Sequence, residues 1–345
     1  EGVALTEVAN AIEVQCLRIL EALRQPYSLM GSDFHCTASV GATLFRGQET
    51  PVSDILRQAD LSMYQAKKAG GDQFAFFDSE MESAAVAHAQ LGEDLRLAIQ
   101  TGQLELYYQP QVNGENGRIE AAEALVRWNH PTRGMVSPVE FIPHAERTGL
   151  IVPLGMWVLQ NACEHLAQWA HNPALASLSV SVNVSAQQFN AADFADLVLA
   201  TLERTGANPQ RLKLELTESL FAGDFDEIVA MMLKLKAIGI GFSLDDFGTG
   251  YSSLAYLSRL PLDQLKIDRS FVSHIESDDN NVVICAAIIN LAQSLRLKVV
   301  AEGVETASQR YFLSTVHRCN LLQGYLYSRP IARQAFERMV ASWPG

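Results

Sequence analysis

Beyond Leu104 the chain alternates between short β-rich runs and longer stretches in which apolar residues recur every three or four positions. The β-rich runs are Leu104–Val112, Ile119–Trp128, Leu178–Ser185, Leu212–Ser219, Gly241–Phe247, Gln264–Phe271, Lys298–Gly303 and Leu321–Tyr327. The amphipathic stretches are Pro138–Arg147, Leu154–Trp169, Asp193–Thr205, Phe225–Ile238, Asn281–Leu295 and Ala307–Leu313. Phe225–Ile238 shows the helical period plainly, with Ile228, Met231, Met232 and Leu235 on one face. Eight strands with intervening helices over about 240 residues predict an α/β fold, a TIM-like (β/α)8 barrel. The first two strands are joined by the short turn Asn113–Arg118, with Asn116-Gly117 at its tip, which signals a hairpin. The barrel is therefore expected to have an antiparallel first strand.

The first 80 or so residues follow another order. A helix at Leu5–Leu23 precedes β runs at Tyr27–Met30 and Phe34–Phe45, with Met30–Asp33 as a hairpin turn. A helix at Pro51–Ala69 and a strand at Gln73–Asp78 follow. This is a small α+β fragment, short for a free-standing domain. A polar helix, Ser79–Gln100, links it to the barrel, so the expected division is 1–80, a linker at 81–100, and 101–345.

Composition narrows the function. Of 345 residues 48% are hydrophobic, enough for a packed core, and the longest apolar run, Val282 to Ala292, is far short of the ~20 residues a membrane span needs. No secretory signal is visible near Glu1, so a cytoplasmic segment without membrane contact is expected. The five cysteines are widely spaced and no His-x-x-x-His pair occurs, which argues against a disulfide framework and a zinc site. A net charge of −13 disfavours a nucleic-acid polymer as partner. It leaves room for a small phosphate ligand, because bound divalent cations reverse the sign of an acidic pocket.

The acids fall in a pattern. Glu123 lies within the second strand and Asn183 near the end of the third; Glu215 and Glu218 close the fourth, Asp245 and Asp246 the fifth; Lys266 is on the sixth and Glu302 on the seventh. Barrels of this kind build their sites at the C-terminal ends of the strands. Carboxylates gathered there repel one another unless cations or Lys266 neutralise them. Oxygen donors without His or Cys suit Mg²⁺ or Mn²⁺. The adjacent Asp245-Asp246 pair suits two ions ~4 Å apart, provided that the strand breaks there; Phe247-Gly248-Thr249-Gly250 is the expected break. Each acid alone reads first as a solvated strand end or a surface ion pair, Lys266 equally as part of an ordinary polar face, and Asn183 as a turn or capping residue before Ser185; the coincidence across successive strands is what points to a site.

At these positions the chain resembles the EAL domain family. The resemblance runs through Tyr108-Gln109-Pro110, Ala122–Trp128 containing Glu123-Ala124-Leu125, Asn183-Val184-Ser185 and Glu215–Glu218. It continues through Asp245–Leu254, Lys266-Ile267-Asp268, Glu302–Glu305 and Gln323-Gly324-Tyr325. It implies a cyclic di-GMP phosphodiesterase that yields linear pGpG with two Mg²⁺ or Mn²⁺ ions per site. Carried over, it implies that Glu123, Asn183, Glu215 and Asp245 hold one metal, and that Asp245, Asp246 and Glu302 hold the second. Lys266 would orient the attacking water, with Glu302 as its alternative base and Gln323 beside it. Glu218 would hold the loop Asp246–Ser253. Gln109, Leu125, Arg127, Glu305 and Tyr325 would contact the dinucleotide. A homodimer through the barrel is also implied.

The N-terminal segment resembles the second half of a GGDEF, or diguanylate cyclase, domain, in Ala38–Gly41 and Ala59–Lys67; the name-giving motif itself does not occur. Such a half sheet is expected to leave apolar surface needing cover. Three rival readings stay open: a catalytically silent cyclic di-GMP receptor that signals through conformational change or dimerisation, an unrelated metal-dependent barrel enzyme, and a scaffold. Asp246-Phe247-Gly248 does not indicate a kinase, since no Gly-rich phosphate loop or His-Arg-Asp accompanies it.

Overall fold

The computed structural model describes the backbone of residues 5–25, 27–29, 32–34, 36–45, 50–222, 224–248, 257–276 and 278–344. It divides into two compact units, Glu1–Glu93 and Asp94–Gly345.

The second unit is a closed barrel of eight strands: β1 Leu104–Asn113, β2 Ile119–His130, β3 Ser179–Asn183, β4 Leu212–Thr217, β5 Gly241–Phe247, β6 Gln264–Ile267, β7 Lys298–Ala301 and β8 Leu321–Leu322. From β2 to β8 successive strands pair parallel. β1 runs antiparallel to both neighbours, opposing Gln109 to Glu123 on β2 and Val112 to Leu322 on β8. The reversal follows from the hairpin, whose tip Gly117 has φ 75°.

Alternation along the strands sorts the residues into two shells. One set, including Val180, Val182, Leu214, Leu216, Phe242, Leu244, Leu265 and Ile267, is buried in the hydrophobic core. Helices Ile151–Trp169 and Asp279–Ser294 add Leu154, Val158, Ile288 and Ile289 to the buried set. Each fully buried aliphatic or aromatic side chain contributes roughly 1.5–3 kcal/mol. The alternate set, Ser181, Glu215, Ser243, Gln264 and Lys266, is polar and equally buried. The barrel is therefore filled by groups that must satisfy one another.

Several strands end sooner than their sequence suggests, because a polar side chain turns the chain. Ser185 opens the helix Ala186–Phe189 with a reciprocal cap from Gln188, so β3 stops at Asn183. Asp268 accepts from Ser270 N (2.9 Å) and opens Arg269–Ser273, where a strand to Phe271 was expected. β8 is cut to two residues, and Gly324 then packs against the Val304 backbone where any Cβ would collide. Tyr311–Val316 continues the helix Ala307–Arg310 as a π-helical turn.

In the first unit, helices Leu5–Leu23 and Val52–Lys68 accompany two short sheets. Tyr27–Leu29 pairs antiparallel with Ser32–Phe34, and Val40–Ala42 pairs parallel with Phe74–Phe76. The single run expected over Phe34–Phe45 is thus two separate strands. The turn residues Met30 and Gly31 lie outside the described residues. Gly41 permits the close approach of the helix at Ala59–Met63, and Arg24 bonds Asp72 at 2.8 Å. Val14, Leu17, Leu56 and Tyr64 are exposed. Among the described residues no helix is long and apolar enough to cross a membrane.

Candidate active site at the C-terminal mouth of the barrel

The acids foreseen on successive strands converge on one ammonium. Lys266 Nζ lies 2.6 Å from Glu215 Oε2, 2.6 Å from Glu302 Oε1, 3.1 Å from Asp245 Oδ2 and 3.5 Å from Glu123 Oε2. All five residues lie at least partly inside the barrel, and Lys266 is only 1% exposed. Burial alone would discharge Lys266, but Asp245, Glu123, Glu215 and Glu302 hold its pKa well above the usual lysine value. Burial likewise pushes the Glu215 carboxyl up to about 8, against the pull of Lys266 and with the repulsion of Glu123 and Asp245. Glu302 is raised well above the carboxylate range for the same reasons. Glu123 goes the other way. Its burial is outweighed by Lys266 and by hydrogen bonds from Gln323 Nε2 (2.6 Å) and Asn183 Nδ2 (2.7 Å), which hold it below its ordinary value.

Gln323 is a junction. Its Nε2 also donates to Gln109 Oε1 (3.0 Å), and its Oε1 accepts from Gln111 Nε2 (2.9 Å). Gln109 in turn donates to Ser328 O (3.1 Å), which ties the segment after β8 to β1.

The expected strand break lies one residue earlier than Phe247. Asp246 itself has φ 54°, and the β5–β6 register shifts between Leu244 and Phe247. This kink lets two adjacent carboxylates face one region: oxygens of Asp245, Asp246 and Glu302 lie within 4.8 Å of one another. Burial pushes the Asp246 carboxyl up to about 6, with added repulsion from Asp245 and Asp268. Glu218 Oε1 accepts from Gly248 N (3.1 Å), so it braces the start of the loop after β5. The rest of that loop, Thr249 to Tyr256, lies outside the described residues.

The donor set fits hard divalent cations. It offers carboxylate oxygens and one amide, an acidic trio close enough to share an ion, and a buried Glu215 Oε1 without a hydrogen-bond partner. The ammonium of Lys266 supplies the compensating charge in the structure described. Beside this cluster, a cavity of about 500 Å³ is lined by Leu125, Arg127, Glu146, Gly155, Asn183 and Gln188. Arg127 stacks on Tyr107, its carbon Cζ 5.5 Å from the ring centroid; Arg329 stacks on Tyr325 at 4.2 Å. Tyr325 and Glu305 stand exposed at the rim.

Gln111, Asp268 and Ser328 escaped the sequence reading as site residues. Asp268 sits in the Lys266-Ile267-Asp268 run, where its spacing from Lys266 was a usable signal. Gln111 gave none, because an inward glutamine reads like any polar position of a strand.

Two family models match the chain: "EAL domain" over residues 92–330 and "Diguanylate cyclase, GGDEF domain" over residues 2–73. The chain is 41% identical over 343 residues to the Pseudomonas aeruginosa bifunctional diguanylate cyclase/cyclic di-GMP phosphodiesterase MucR, covering 99% of this chain and 50% of that protein. It is 36% identical over 329 residues to the Escherichia coli cyclic di-GMP phosphodiesterase PdeR, covering 95% and 49%. The chain thus spans about half the length of these relatives. Among solved structures it resembles the Pseudomonas MucR phosphodiesterase in complex with c-di-GMP, with TM-score 0.69 and 46% identity, over 72% of this chain and 99% of that one.

Proposed function

The chain belongs to the EAL domain family, and on that premise we propose that it hydrolyses cyclic di-GMP to linear pGpG in the cytoplasm with two Mg²⁺ or Mn²⁺ ions. The observation that carries the proposal is the ring of Glu123, Glu215, Asp245 and Glu302 around Lys266, with Asp246 brought beside Asp245 by the backbone kink.

Glu123, Asn183, Glu215 and Asp245 are assigned to one ion; Asp245, Asp246 and Glu302 to the other. Such ions, when bound, neutralise a phosphodiester and make water a nucleophile near neutral pH. The protein's own groups do the rest. Lys266, held charged by its neighbours, places a fixed positive charge where an attacking oxygen develops. Glu302, 2.6 Å from Lys266 Nζ, is assigned as the alternative base for the attacking water. Gln323 offers amide hydrogens beside Glu123, and Glu218 keeps the turn at Gly248 in register with Asp246. Arg127, half-buried against Tyr107, pairs with a substrate phosphate, and Gln109, Leu125, Glu305 and Tyr325 line the dinucleotide's path. A homodimer through the barrel belongs to the same proposal, and a light-scattering mass of one chain would count against it.

The test is incubation with cyclic di-GMP in Mn²⁺, in Mg²⁺ and in chelator, with products separated by chromatography. Accumulation of pGpG in metal alone supports the proposal. Binding without cleavage in either metal favours the receptor reading.

A further inference from the structure

We propose that Gln111 is a positioning residue for the reaction: it fixes the amide of Gln323 so that Gln323 Nε2, and not its oxygen, faces Glu123. The inference rests on the phosphodiesterase reading for its consequence and on hydrogen bonding alone for its geometry.

Gln109 and Gln111 are two apart on β1, so both side chains point into the barrel. They approach Gln323 with opposite polarity. Gln111 donates through Nε2 to Gln323 Oε1 at 2.9 Å, and Gln109 accepts through Oε1 from Gln323 Nε2 at 3.0 Å. The second Nε2 hydrogen of Gln323 goes to Glu123 Oε2 at 2.6 Å. All the hydrogen-bonding groups of Gln323 that the site reaches are thereby used.

Turning the Gln323 amide over would set its Oε1 against two acceptors, Glu123 Oε2 and Gln109 Oε1, and its Nε2 against the donor of Gln111. Each side of that arrangement leaves buried groups unsatisfied, since Gln323 is 3% and Gln111 0% exposed. Glu123 is an acceptor under any ionised condition, so it needs a donor there. Gln111 is the one of the three partners that donates a hydrogen, so it locks from the oxygen side the amide orientation that Glu123 demands from the nitrogen side. Its own Oε1 is buried without a hydrogen-bond partner. A residue kept for packing alone would be replaced by a leucine or methionine at lower desolvation cost.

The consequence is catalytic. With Gln323 Nε2 on Glu123 Oε2 at 2.6 Å, the carboxylate is held in one orientation by a donor. A turned or drifting amide removes that donor and misplaces the group assigned beside the attacking water. Gln111 is fully buried and reaches the site through Gln323, so the loss should appear in kcat rather than KM.

The experiment compares Gln111→Leu, Gln111→Glu and Gln111→Lys with wild type, each also in a Gln323→Ala background. Lysine retains a donor toward Gln323 Oε1; leucine and glutamate do not. Expected are kcat losses of about tenfold or more for Gln111→Leu and Gln111→Glu with KM within about threefold, partial or full retention for Gln111→Lys, and no further loss from any of them once Gln323 is alanine. Selectively ¹⁵N-labelled glutamine gives a second reading without metal or turnover. The Gln323 side-chain amide protons should be protected from solvent exchange in wild type and in Gln111→Lys, and unprotected in Gln111→Leu. Unchanged kcat in Gln111→Leu, equal losses in all three variants, or losses that persist beside Gln323→Ala would overturn the assignment. If wild type itself shows no turnover, the phosphodiesterase reading fails, and the exchange measurement alone decides whether Gln111 orients Gln323.

Discussion

Lys266→Met tests the electrostatic design of the barrel mouth. The substitution removes an ammonium lying within 3.5 Å of Glu123, Glu215, Asp245 and Glu302 and leaves a side chain of similar length. Breaking a buried ion pair by deleting one partner costs about 3–5 kcal/mol. In a unit of about 250 residues, each kcal/mol moves Tm by about 2–4 °C, so metal-free Lys266→Met is expected to melt roughly 6–20 °C below wild type at pH 8. At pH 5.5 the deficit should shrink. Glu215, raised to about 8, takes up its proton over that interval and relieves the repulsion. A divalent cation is the natural replacement for the lost charge. Saturating Mn²⁺ at a hundred times its dissociation constant contributes about 2.7 kcal/mol, and should recover much of the loss in Lys266→Met. Calorimetry in chelator and in Mn²⁺, at both pH values, measures all four terms. A variant that melts within 2 °C of wild type in chelator at pH 8, or whose deficit is the same at both pH values, would refute this account of the cluster.

Metal affinity should fall as pH drops, because Glu215 (raised to about 8) and Asp246 (raised to about 6) must lose protons before they ligate; a Mn²⁺ titration showing equal affinity at pH 6 and pH 8.5 would contradict this. Glu218→Ala frees Gly248 N and should lower kcat by about tenfold or more with little change in Tm, since the bond braces an exposed turn rather than the core. Gly324→Ala drives a methyl into the Val304 backbone and should cost at least about 1–3 kcal/mol, read as a denaturation midpoint well below wild type. His165, whose pKa burial and Arg333 lower to about 4, is neutral in the fold and protonated when unfolded below about 6.5. Its stabilisation is therefore present above pH 6.5 and lost as pH falls toward 4. After allowance for its partial exposure this amounts to about 1–2 kcal/mol, and a His165→Gln chain should show a flatter stability profile over that interval.

The barrel was legible because its strands alternate with well-patterned helices, and the antiparallel start because Asn116-Gly117 is specific turn chemistry. Strand ends were less so. Ser185 and Asp268 cap helices by using side-chain oxygens, and β-rich neighbours such as Ile267 and Phe271 hide that competition in the sequence. Position along each strand made the carboxylates readable, since Glu215, Asp245 and Lys266 share the inward phase. The kink at Asp246 was not readable: a non-glycine residue at φ 54° is stabilised by surroundings assembled from distant segments. Gln111 and Ser328 were invisible for a related reason, because their importance lies in partners some 200 residues away in sequence.

The most direct test of the central claim is the initial rate of cyclic di-GMP hydrolysis in Mn²⁺ for wild type beside Glu123→Ala. Glu123 is the carboxylate on which Lys266, Asn183 and Gln323 all converge. Wild type is expected to release pGpG only with metal, and the variant to lose at least about two orders of magnitude in rate. Undiminished hydrolysis by Glu123→Ala, or none by wild type with the dinucleotide bound, would contradict that claim.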